Sequence, residues 1–239
     1  MIGNIRIEIC AGSYEDVCTA SAFAEVDRIE LNSALELGGL TPSLSALKEA
    51  KKSSSKSIIC MTRPRPAGFR YTEREKDIMF KDAVQFLENG ADGIVFGSLE
   101  DDLTIDIPFA EKMITLIHSY QKEAVFHKAF DLTPDPLQAM ETLISLKADR
   151  ILTSGGKENV TEGLSVIRRL NEQSAGRIMI LPGGGVSEKN VHDLISEGLC
   201  SEIHMSAKET RSDCENYFAV SAERIRTVLN TLKTGTDPK

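Results

Sequence analysis

Along this chain, short runs of β-branched and aliphatic residues alternate with longer amphipathic stretches, and the alternation persists from one end to the other. Strand-like runs fall over 4–10, 28–32, 57–63, 93–97, 124–131, 150–154, 177–181 and 202–207. Helical periodicity takes over between them, across 14–24, 43–52, 72–88, 107–121, 136–146, 160–173, 187–196 and 215–232. Each apolar helix face needs a sheet to cover, so strict alternation predicts parallel strands joined by crossovers. Eight such units of roughly 30 residues close most simply into a (β/α)₈ TIM barrel, with an open doubly wound sheet as the rival. No linker divides the 239 residues, so a single domain spans 1–239 with a polar tail at about 234–239. Thr72 and Glu75, three apart before an apolar run, form a capping-box pattern.

Because side chains alternate across a strand, each strand sorts its residues into a helix-facing and an inward-facing set. In the first strand Ile5, Ile7 and Ile9 share one parity, and Arg6, Glu8 and Cys10 the other. The second sends Ile29 and Leu31 outward and Arg28, Glu30 and Asn32 inward. The last sends Ile203 and Met205 outward and Glu202, His204 and Ser206 inward. Charges inside a barrel must pair or meet water. Arg6, Arg28 and Glu202, towards the strand beginnings, therefore read equally well as parts of an ion-pair lattice, such as Arg28 with Glu30 or Glu8, that fills the core.

At the strand ends, where barrels carry their sites, function weighs more. Glu8, Glu30, His127 and Asp131 are the candidate acid and base groups, with Asp131 as orienting partner of His127. Arg63 and Arg65 are a candidate clamp for a carboxylate or phosphate. Two glycine turns, Ser154-Gly155-Gly156 and Pro182-Gly183-Gly184-Gly185, let backbone amides approach an anion closely. With His204 and Ser206 on the last strand they make a candidate phosphate-binding site.

The formal net charge of −8 supplies no positive field for a nucleic acid or an anionic membrane, which leaves a small-molecule partner. Five cysteines without a CxxC pair read as reduced thiols of a cytoplasmic protein. The amino terminus lacks the pattern of a secretory signal, and no apolar run is long enough to cross a bilayer.

Several of these segments together resemble the CutC family of copper-homeostasis proteins over almost the full length. They are Arg28-Ile-Glu-Leu31, Gly38-Gly-Leu-Thr-Pro-Ser43, Arg63-Pro-Arg65, Gly90-Ala-Asp-Gly-Ile-Val-Phe-Gly97 and Phe126-His-Lys-Ala-Phe-Asp131. Ile151-Leu-Thr-Ser-Gly155, Pro182-Gly-Gly-Gly185 and His204-Met-Ser-Ala207 complete the set. The resemblance implies a cytoplasmic barrel with a polar pocket at the strand ends, and a homo-oligomer, of which a dimer is the favoured form. It also implies copper. Some members carry cysteines at the ends of strands one and two, a pair suggested to hold copper(I). Here Cys10 matches the first position and is the candidate metal ligand, while Asn32 stands at the second. Copper(I) selects soft sulfur ligands, and the inward parity leaves Met61 and Met205 facing the helices. Lys128 stands where arginine is frequent in the family, and Pro66-Ala-Gly68 departs from its third loop.

Two functions follow from different classes. One is a copper-handling protein using Cys10 with His127 or another inward ligand. The other is an enzyme for a small phosphorylated or carboxylated metabolite, using Glu8, Glu30, His127 and Asp131 as acid and base. A non-catalytic binding module is a third reading.

Overall fold

The computed structural model describes residues 5–196 and 199–234, so Asn4 and residues 235–239 of the expected tail lie outside the described residues. Eight strands alternate with helices: β1 Arg6–Ala11, α1 Tyr14–Ser21, β2 Arg28–Leu31, α2 Leu44–Ser53, β3 Ser57–Met61, α3 Glu73–Glu88, β4 Gly93–Phe96 and α4 Ile107–Ser119. They continue through β5 Glu123–Phe126, α5 Pro136–Ser145, β6 Arg150–Thr153, α6 Val160–Ser174, β7 Met179–Pro182, α7 Val191–Ile195 and β8 Glu202–Met205. The sheet runs β7-β6-β5-β4-β3-β2-β1-β8, every pairing in it parallel. A bridge between Gly183 and His204 joins its two edges, which makes the sheet a TIM barrel. Side-chain caps start the helices, including the capping box of Thr72 and Glu75, Ser13 on the Asp16 amide and Asp135 on the amides of Leu137 and Gln138. No helix is long and apolar enough to cross a membrane.

Strand parity divides the interior into two polar levels and an apolar plug. Ile7, Ile9, Ile29, Leu31, Ile203 and Met205 are buried in the core between strands and helices, where each contributes about 1.5–3 kcal/mol of transfer free energy. Inside the barrel, Ile59, Met61, Val95 and Val125 form a separate cluster on one side. Met61 thus faces inward and not towards the helices as the sequence led one to expect. Ile58 and Cys60 take the helix-facing parity of β3, which leaves the other to Ile59 and Met61. On the opposite side, register sets the polar levels. Glu8 pairs with Arg28 across β1–β2 and with His204 across β1–β8, and Cys10 pairs with Glu30 one pleat higher.

Three segments depart from the expected elements. β5 stops at Phe126, and a 3₁₀ turn over Lys128–Leu132 replaces the rest of the strand expected to reach 131. The seventh helix begins only at Val191, because Asn190 accepts from the Ser187 amide and turns the chain first. Finally, β9 Lys208–Asp213 and β10 Glu215–Val220 form an antiparallel hairpin, so α8 starts at Ala222 and not near 215. The aromatic, β-prone Asn216-Tyr-Phe-Ala-Val220 favours the strand, and Cys214 turns it with φ +60°.

Candidate functional site

The lower polar level is a saturated ion-pair lattice. Arg28 donates from Nε to Glu8 and from Nη2 to Glu202 at 2.8 Å. Arg150 donates from Nε to Glu202 at 2.7 Å and from Nη1 to Glu123 at 2.9 Å. Every guanidinium here meets carboxylates, so the cost of burying charge is offset within the network. Arg6 reaches only its exposed edge, 3.6 Å from Glu202.

One pleat higher, at the carboxyl ends of the strands, carboxylates, an imidazole and a thiol meet. His204 Nδ1 lies 2.6 Å from Glu8 Oε1 and 3.6 Å from Glu30 Oε2. Asn32 donates from Nδ2 to Glu30 Oε1 at 2.9 Å, and weakly to Cys10 Sγ at 3.5 Å. Burial alone raises the pKa of Glu8, but Arg28 and His204 outweigh it and hold the carboxyl well below its usual range. Glu30 goes the other way, raised by burial and by the charge of Glu8. His204 stays protonated well above its ordinary range. Burial opposes that, but the charge of Glu30 and hydrogen bonds with Cys10 and Glu8 outweigh it. Two carboxyls one pleat apart are thus driven in opposite directions, as an acid–base pair requires.

A cavity of about 110 Å³ opens on this cluster, lined by Cys10, Glu30, Asn32 and His204 on one side and by Arg63, Phe69, His127 and Lys128 on another. Three polar atoms of its lining residues are buried without a hydrogen-bond partner: Asn32 Oδ1, Arg63 Nε and His127 Nε2. His127 follows the last residue of β5, where its Nδ1 accepts from the Ala129 amide at 3.1 Å. Burial and the nearby Arg63 charge lower its pKa to about 3. The ring is therefore neutral with its proton on Nε2. Arg63 spends its Nη groups on the carbonyls of Leu37, Gly38, Gly39 and Ala67. Its guanidinium stacks 4.9 Å above Phe69, whose ring lies 4.8 Å from that of His127. A larger cleft of about 240 Å³, beside Ile107, Pro134 and Gln138, holds no comparable cluster.

The remaining candidates occupy other places. Asp131 does not orient His127. The 3₁₀ turn swings it to the end of β6, where it accepts from Thr153 Oγ1, from the Ser154 amide at 3.0 Å and from the Gly156 amide at 2.9 Å. The anion cradle of Ser154, Gly155 and Gly156 thus already holds a carboxylate from the protein itself. Gly163 presses on this turn: a Cβ there would lie 1.8 Å from the Ser154 carbonyl oxygen. Gly183 and Gly184 adjoin residues that line the cavity, Gly183 against His204 and Gly184 against the Lys128 ammonium, whereas Gly185 faces Asn159, outside it. Arg65 turns away from the cavity to Glu75, at 2.5 Å, and stacks on Tyr71. Ser206 lies beyond the end of β8, half-buried, and does not line the cavity. Phe69 and Lys128 were not among the sequence candidates. Phe69 sits in an irregular loop without periodicity, whereas Lys128, next to His127, was readable as a charge at a strand end.

The donor set tests the copper(I) expectation. Glu8, Glu30 and His204 present ligand atoms within 4.8 Å of one another. Two of these are hard carboxylates and the third is a protonated imidazole, whereas copper(I) selects thiolate and thioether. The Cys10 thiol is pushed up by burial and by the Glu30 charge, so it resists becoming the thiolate such a centre needs. The residues present do not fit a thiolate copper(I) centre.

Comparison with known proteins agrees with this arrangement of strands and loops. The model of the CutC family matches residues 5–209. A CutC family protein of Treponema denticola is 48% identical over 210 residues, covering 88% of this chain and 84% of that protein. The copper homeostasis protein cutC homolog of Homo sapiens is 39% identical over 205 residues, 86% of this chain and 74% of its own length. The crystal structure of a copper homeostasis protein CutC from Streptococcus agalactiae superimposes with a TM-score of 0.79 at 32% identity, covering 84% of this chain and 98% of that one. The chain belongs to the CutC family.

Proposed function

We propose that the strand-end cavity binds a small carboxylated or phosphorylated metabolite and moves protons on it, so that the protein is a cytoplasmic acid–base enzyme whose link to copper is indirect. One observation carries this reading. A buried His204 is held between Glu8 and Glu30 on the wall of a cavity also lined by Arg63 and His127, each of which has a buried N–H without a partner. His204, kept protonated, serves as the acid; Glu30, with its raised pKa, serves as a base that takes a proton nearer neutral pH than a solvated carboxylate does. Arg63 holds the anionic end, with Lys128 at the rim beside Gly184. The five free thiols accord with a reducing compartment. Self-association as a homodimer belongs to the same reading and is open to a sedimentation measurement.

The test is a thermal-shift screen against carboxylated and phosphorylated metabolites, in which a ligand at 100 times its Kd stabilises by about 2.7 kcal/mol. Exchange of a bound ligand's C–H into deuterated solvent is expected to disappear in Glu30→Gln while binding persists. Direct copper binding is the second reading. It is favoured by the name of the human relative and by Cys10 and Met61, two soft sulfurs lining the cavity beside His204. A screen without ligands, together with a large loss of copper(I) affinity in Cys10→Ser, would replace the first reading by the second.

A further inference from the structure

If the strand-end cavity is a small-molecule site, its walls also specify which molecule. Arg63 is buried, and among the described residues no carboxylate lies within ion-pairing distance of it; its Nη groups reach backbone carbonyls alone. A buried guanidinium without a counter-ion is costly, so this wall selects an anion. His127 adds a second donor at Nε2 but no charge, because the ring is neutral. Across the cavity Glu30 is acidic, which disfavours a second negative charge on the ligand. Of the other cations lining the cavity, His204 lies between Glu8 and Glu30 and the Lys128 ammonium lies 3.7 Å from Asp131. One cation without a counter-ion, two N–H donors and a facing carboxyl therefore select a monoanion over a phosphate dianion.

Asn32 supplies the next constraint. Its Nδ2 is committed to Glu30 Oε1, which fixes the orientation of the amide and leaves Oδ1 as a buried acceptor without a donor. The complementary group is a hydroxyl. Leu152 and Met61 complete the lining with apolar surface. The volume of about 110 Å³ equals roughly four shares of liquid water at about 30 Å³ each, enough for a ligand of a few heavy atoms.

We infer that the cavity takes a short α-hydroxy monocarboxylate, its carboxylate on Arg63 Nε–H and His127 Nε2–H, its hydroxyl on Asn32 Oδ1, and its carbon chain against Leu152 and Met61. This rests on the small-molecule reading above and narrows its substrate class.

Calorimetry of the full chain at pH 8, where inorganic phosphate is mostly the dianion, with lactate, propionate and inorganic phosphate tests the inference. Lactate is expected to bind, and propionate, which lacks the hydroxyl, to bind about tenfold more weakly. In Asn32→Ala lactate should fall to the level of propionate while propionate is unchanged; in His127→Asn both should weaken about tenfold. The lactate-to-propionate ratio in the unaltered protein decides the matter even if a variant fails to fold. Equal affinities for the two acids, or phosphate binding as tightly as lactate, would overturn the ligand class. Tight binding of a phosphorylated compound would do so while leaving the small-molecule site standing. Carboxylate binding without deuterium exchange would remove the acid–base chemistry and leave this ligand class intact.

Discussion

The two polar levels of this barrel, one pleat apart, are built from the same residue types and reach opposite ends. In the lower level Arg28 and Arg150 meet Glu8, Glu123 and Glu202. In the upper one Arg63 has backbone partners only, and Asn32, Arg63 and His127 each leave an atom without a partner. Completed networks hold a protein interior together, whereas incomplete ones mark the place for something from outside. Polarity inside a barrel is thus no guide to function until its hydrogen bonds have been counted.

The comparison can be broken most sharply from below. Arg28→Met removes the cation between Glu8 and Glu202 and should destabilise by about 3–5 kcal/mol in urea unfolding. A loss under about 1 kcal/mol would mean that the lattice is dispensable. Next in size, Asp131→Ala strips the acceptor from Thr153, Ser154 and Gly156 and should cost about 2–3 kcal/mol. Formate should raise the melting temperature of that variant by more than it raises that of the unaltered protein, since only the variant presents free amides at the end of β6. The smallest effect is expected in the upper level. His127→Asn keeps an acceptor for the Ala129 amide and should change stability by no more than about 1 kcal/mol at pH 8.

The same substitution changes the pH dependence. A histidine with its folded pKa lowered to about 3 gives stability that is complete above its unfolded value and lost as pH falls from about 6.5 towards 3. His127→Asn should flatten that acid limb. His204, with a raised folded pKa, acts in reverse: its contribution is complete below about 6.5 and lost as pH climbs through the higher folded value. The alkaline limb should therefore persist in His127→Asn, as unfolding free energies across the pH range would reveal.

How much of this was legible beforehand follows from what a strand dictates. Period two is intrinsic to an extended backbone, so Glu8, Glu30, Asn32, Glu202 and His204 could be set inward from their neighbours alone. Alternation of elements led as directly to the barrel. Parity failed where the local backbone was ambiguous: β3 inverts the expectation for Met61, and β5 ends early enough to send Asp131 to β6. Loop contacts had no periodic signal at all. Arg63 and Arg65, two apart in one motif, diverge because one folds back onto loop carbonyls and the other is claimed by the first turn of α3. The hairpin over 208–220 was hidden because its charged and aromatic residues fit an amphipathic helix as readily as a ribbon.

Glu8 offers its two oxygens to different masters: Oε2 takes Arg28 and Oε1 takes His204. Scaffold and site consequently share one atom group and cannot drift apart in evolution or in the laboratory. A change meant to make the barrel hardier will retune the imidazole above it, and a change meant to alter reactivity will be felt as a softer fold.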